Sequence, residues 1–200
     1  MPDGPQAAAL PSRSSALRYR RVLLKLSGEA LAGSHGLPVD LETVGDFAQE
    51  IKDPAAMAKA MAGATVKLDQ GIKASAAQGT PISAKYELDD KGALQLSVYT
   101  MKPGAPANAQ FSEVIVDNTK GTVAKTETIT DAGDLKHAAD QTAAMAKAKI
   151  TLEQAAAKAA TDNAGYVVVA VIPALQGANP VADVTLMKGT EVKKASVKLD

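Results

Sequence analysis

The chain has 200 residues, room for one domain or two small ones, and 46% of them are hydrophobic, enough to bury a core. Aromatics are only 3% and tryptophan is absent, so that core must be built from small aliphatic pieces, and stacking platforms for single-stranded nucleic acid are missing. Lys+Arg at 22 balances Asp+Glu at 22, which argues against a phosphate-neutralising surface, and with no cysteine, disulfides, thiolate metal sites and a Cys nucleophile are excluded.

Residues 1–18 contain Pro2, Pro5 and Pro11 among Ser and Ala and read as a disordered leader. They lack the basic segment and continuous apolar stretch of a signal peptide. No apolar run in the chain approaches the length of a transmembrane helix. Tyr19-Arg20-Arg21 then leads into Val22-Leu23-Leu24-Lys25-Leu26, followed by Ser27-Gly28, which reads as a buried strand ending in a tight turn. Lys25 beside such a turn can meet an anion such as a phosphate, with backbone N–H groups on the same oxygens. A lysine snorkelling from a strand end is the plainer reading of the same residues.

The run from Arg21 through Lys25, Ser27, Gly28 and Leu31, with Gly36, Asp40 and residues 41–51 as a first helix, resembles the N-terminus of bacterial UMP kinase, of the amino-acid kinase family. The resemblance covers residues 19–52. It implies that Lys25, Ser27 and Gly28 bind nucleotide phosphates and that ATP with Mg is the cofactor of a phosphotransferase acting on UMP. The family's second strand and Gly-Gly-Gly-Asn loop have no counterpart, since the chain contains no Gly-Gly pair. Phosphoryl transfer needs several positioned groups and a metal around the phosphates, and one strand and one turn do not supply them. The site residues are therefore read as vestigial, and residues 19–52 as a loosely attached strand–turn–helix segment of a chimeric chain.

From residue 53 the chain repeats itself. Ala-Ala-Met-Ala-Lys-Ala stands at 55–60 and again at 143–148, followed by Val66-Lys67-Leu68-Asp69-Gln70 in one case and Ile150-Thr151-Leu152-Glu153-Gln154 in the other. Asp53-Pro54 predicts a helix start, and residues 55–62 a helix stopped by Gly63. Residues 67–78 form a second helix with Leu68, Ile72 and Ser75/Ala76 on one face. Period-two alternation predicts strands over 82–88 and 94–100, joined by a turn at 89–92. A loop at 102–110 precedes a hairpin of 111–117 and 123–129 across 118–121. Residues 131–147 read as a helical connection with Leu135, Ala138, Thr142 and Met145 on one stripe. A capping box at Thr151 and Gln154 opens a helix over 151–161. Apolar residues 166–172 predict a doubly covered strand, 173–180 a loop, and 181–187 with 191–199 a last hairpin.

A helix followed by an antiparallel meander, twice, predicts an α+β fold. The helix openings and the run 111–123 resemble PepSY domains. The resemblance covers about 66–129 and, less fully, 150–199. The organisation it implies is a PepSY-like unit at 53–130, a helical connection at 131–149 and a second unit at 150–200, each a helix packed on a meander. It also implies a non-catalytic binding or regulatory protein with a protein partner such as a peptidase. The body would be periplasmic or secreted, whereas the kinase-like start implies the cytoplasm.

Candidate chemistry is sparse. Of the two histidines, His35 lies in a Gly-containing loop. His137 lies in a predicted helix with Asp134 and Asp140 at helical spacing, which reads either as a weak metal site or as a solvated face with i,i+3 pairs. There is no Gly-x-Ser-x-Gly elbow. Asp89-Asp90 and Asp117-Asn118 sit at predicted hairpin tips, where turn geometry explains them and calcium is the other reading. The predicted sites are therefore no catalytic residue, no metal ligand, and the phosphate set Lys25, Ser27 and Gly28.

Overall fold

A computed structural model describes residues 51–106 and 110–200. The first helix, α1 (Pro54–Met61), starts where Asp53-Pro54 predicts. The Asp53 carboxylate accepts from the N–H groups of Ala55 at 3.0 Å and Ala56 at 2.9 Å, and Pro54 occupies a position whose N–H would have no helical partner. Helix α2 (Leu68–Ser75) tightens into a 3-10 turn (Ala76–Gln78). Then come β1 (Thr80–Leu88), β2 (Leu94–Met101), β3 (Phe111–Val116), β4 (Val123–Thr128), α3 (Ala132–Met145), α4 (Leu152–Asp162), β5 (Val167–Gln176), β6 (Asn179–Lys188) and β7 (Glu191–Lys198). The fold of the described residues is α+β, with four α-helices and a single antiparallel sheet of seven strands in the order β4-β3-β2-β1-β5-β6-β7.

Residues 173–180 are not the loop that their two prolines suggest. Pro173 lies inside β5 opposite Ala182, and Pro180 lies inside β6 opposite Leu175. The pairing of β5 with β1 involves only Ala170 and Val171, so at Pro173 the strand has a ladder on one side and its missing N–H costs no bond there. Pro180 stands at the start of β6, where only its carbonyl is needed, as acceptor from Leu199 N–H at 3.0 Å. The turn itself shrinks to two residues, Gly177 and Ala178, with Gly177 at φ 63°.

Alternation along the strands divides the sheet into two faces. The first face presents Ala84, Tyr86, Leu96, Val98, Val114, Val116, Val171, Val184 and Leu186, all buried, to α2 and α4, which lie against each other across it. Leu68, Ile72, Leu152, Ala155, Ala156 and Ala159 complete this core. The alanines and Gly71 let the helices sit close to the sheet, which is how a chain with so few aromatics reaches interior packing density. Helix α3 is more than a connection. Leu135 and Ala138 cover the second face beside Ile82, Tyr99, Met101, Phe111 and Ile129, and α3 runs on across β5 and β6.

The repeated residues take up matching positions. Leu68 and Leu152 open α2 and α4, and both are buried. Gln70 accepts from Lys67 N–H at 2.8 Å, and Gln154 accepts from Thr151 N–H at 2.9 Å. Ahead of each helix two successive N–H groups meet one carbonyl: Thr65 and Val66 on Asn118 O, Lys149 and Ile150 on Leu199 O. The first strand of each repeat is bulged at its third residue, Ile82 in β1 and Val169 in β5, and each is only 1% exposed. Counting across the ladders from these bulges aligns Tyr99 with Thr185, Glu113 with Lys194, and Asn118 with Leu199. The repeats differ in that β3 carries a further strand, β4, on its outer edge.

Candidate functional site

Register places Lys125, Ile115, Ser97, Lys85, Ala170, Thr185 and Lys194 in one straight row across all seven strands of the second face, with Ser97, Ala170 and Thr185 buried. Lys85 sits on the central strand, with Lys125 and Lys194 each three strands away, about 14 Å at ordinary strand spacing.

Each lysine of the row has a polar partner. Lys85 Nζ is 2.7 Å from Glu87 Oε2 and 5.5 Å from the centre of the Tyr99 ring. Lys125 Nζ is 2.7 Å from Glu127 Oε1, and Lys194 Nζ donates to Thr185 Oγ1 at 2.7 Å. Around Lys85 the bonds continue. Ser97 Oγ donates to Glu87 at 2.9 Å, while Gln95 Nε2 donates to Ser97 Oγ at 2.8 Å and to Glu113 at 3.3 Å. Tyr99 shares a hydrogen bond with the Glu113 carboxylate. Its burial, then the charges of Glu113, Glu87 and Asp134, push the phenol far above its ordinary value. It therefore stays protonated and acts as a donor. On the other side of Tyr99, Ser83 Oγ donates to Gln141 of α3 at 2.7 Å. Such a pre-organised set of alternating cations, acids and amides can recognise a polar or charged surface without reorganising.

Two smaller features lie elsewhere. Tyr166 donates to Glu191 Oε1 at 2.6 Å, which raises its pKa, with Lys188 and Lys193 over its ring at 5.9 and 5.4 Å. An open hollow of about 580 Å³ is lined by Gln78, Gly79, Thr80, Pro81, Lys102 and Pro103, with Ala76 and Ala77.

The residues singled out from sequence fall differently. Lys25, Ser27, Gly28 and His35 lie outside the described residues. His137 is exposed on α3, and Asp140 is 3.5 Å from Lys136 Nζ. The described residues contain no group of three or more side chains placed to hold a metal. Asp89 and Asp117 shape turns. Asp89 Oδ1 accepts from Lys91 and Ala93 N–H, and Asp117 Oδ1 accepts from Thr119 N–H, Thr119 Oγ1 and Lys120 N–H. Asn118 ties the β3–β4 turn down through Nδ2 to Leu94 O at 2.7 Å. The polar row is not evident in the sequence. Its members show as alternate polar positions in 82–88 and 94–100, but their alignment depends on the pairing of β1 with β5, which carries no local signal. No protein-family model matches the chain, and no solved structure matches it. No helix of the described residues is long and apolar enough to cross a membrane.

Proposed function

We infer that residues 53–200 are two PepSY-like units forming a non-catalytic binding and regulatory protein whose partner is another protein, a peptidase being the kind the resemblance suggests. The observation that carries this reading is the row of three lysines, Lys125, Lys85 and Lys194, spread across seven strands of one face, with Ser97, Ala170 and Thr185 buried between them. A surface of that kind suits recognition of a folded partner, in which rim charges set specificity and association rate. The test is titration of the full chain against exported bacterial serine and metallopeptidases, with a fluorogenic peptide as substrate. Saturable inhibition that weakens on Lys125→Glu supports the reading. Turnover of ATP and UMP by the chain in a coupled phosphotransfer assay contradicts it.

A further inference from the structure

The two repeats differ in strand number, and the difference leaves a strand edge. In the first repeat, β3 pairs with β2 on one side and β4 on the other. Its counterpart β7 pairs with β6, and among the described residues no strand lies on its outer side. The equivalence of β3 and β7 rests on three independent matches: the bulges at Ile82 and Val169, the inward residues Val116 and Val197, and the carbonyls of Asn118 and Leu199 that clamp the arms ahead of α2 and α4. The backbone of β7 therefore has the geometry that in β3 supports a further antiparallel partner.

The charge on this edge differs from that at the other end of the sheet. In β4 one lysine and one glutamate pair with each other, Lys125 with Glu127 at 2.7 Å. Strand β7 carries Lys193, Lys194 and Lys198 with one acid of its own, Glu191, all four exposed, and Asp183 of β6 stands opposite Ser196 between Lys194 and Lys198. Lys194 and Lys198 share the second face, whereas Ala195 and Val197 lie on the first. Lysines on an edge repel a second copy of the same edge, the usual protection against self-pairing. They do not repel a strand that brings carboxylates to the same side.

We propose that the outer edge of β7 is a docking site for an extended, acid-bearing segment of a protein partner, which adds as an eighth antiparallel strand. Main-chain bonds would supply the affinity, acids opposite Lys194 and Lys198 the selectivity, and aliphatic residues beside Ala195 and Val197 the packing. This rests on the binding-module reading above and names the surface and the chemistry that reading leaves open.

The test is residue-resolved hydrogen exchange on the full chain with two capped heptapeptides, one alternating Glu and Val, the other Lys and Val. At ten times its dissociation constant the Glu/Val peptide is expected to slow exchange of β7 amides about tenfold, and the Lys/Val peptide to leave them unchanged. The variant Lys198→Glu should weaken the Glu/Val response by about tenfold or more while keeping its melting temperature. That pattern supports the proposal whether or not any peptidase is inhibited. No slowing at β7 with either peptide, slowing confined to β4, or concentration-dependent protection of β7 without peptide, which assigns the edge to a second copy, would each overturn it. Inhibition of a peptidase with β7 unprotected would move the docking surface elsewhere while sparing the binding-module reading.

Discussion

Gly71 in α2 lies so close to Leu96 in β2 that a Cβ built on the glycine would stand 2.4 Å from the Leu96 Cδ2 and 3.1 Å from its Cγ. Leu96 is fully buried and has little room to move away. The contact sets how near α2 can sit to the sheet. Gly71→Ala gains ~1 kcal/mol of helix propensity but overpacks the core by ~1–3 kcal/mol. The expected outcome is a lower melting temperature. Combined with Leu96→Ala the same substitution should become neutral or stabilising, a non-additivity that a double-mutant cycle reads directly. Additive effects would mean that the two residues do not touch.

The capping of α2 and α4 is alike in one half and different in the other. Both helices have the glutamine that reaches back, but Thr151 also accepts from Gln154 N–H at 3.2 Å, whereas the lysine at position 67 has no acceptor to offer. Thr151→Ala should therefore destabilise by ~1 kcal/mol, and Lys67→Thr should stabilise by a similar ~0.5–1 kcal/mol. Urea unfolding of the two variants checks both signs. A destabilising Lys67→Thr would show that the lysine has another role there.

Asp117 should be the carboxylate most sensitive to its turn. Hydrogen bonds from the Thr119 hydroxyl, then from the Thr119 and Lys120 N–H groups, lower its pKa from 3.8 to about 2. Because the folded value is depressed, the stabilisation is present above the unfolded pKa and is lost as pH falls from near 4 through 2. The turn it shapes holds Asn118 O against Thr65 and Val66, so protonation should loosen the arm ahead of α2 before the sheet. An NMR titration of the Asp117 carboxyl carbon is the check. A midpoint at the ordinary value would contradict the hydrogen-bond account, and Asp117→Asn should remove the loosening.

Much of this fold is legible along the chain because local chemistry specifies it. Asp53-Pro54, Thr151 with Gln154, and the turn residues at 89–92 and 118–121 all mark elements where the structure has them. The stripe of Leu135, Ala138, Thr142 and Met145 is the side of α3 turned towards the protein. Pro173 and Pro180 mislead because a proline is read as breaking a strand, whereas each lies where its missing N–H has no ladder to join. The way the repeats meet is also hidden. Ala84 opposite Val171 and Lys85 opposite Ala170 are the pairs that merge two meanders into one sheet, and nothing in either segment announces the other. The polar row inherits that obscurity, since its line exists only once β1 and β5 are side by side.

The joining of both repeats into one body is best tested by native-state hydrogen exchange at increasing denaturant. Core amides of β2 such as Val98 and of β6 such as Val184 should converge on one opening free energy and exchange through a single global unfolding. Opening energies that stay apart by more than ~2 kcal/mol, with one repeat unfolding while the other remains protected, would contradict a sheet continuous through β1 and β5 and the surface built on it.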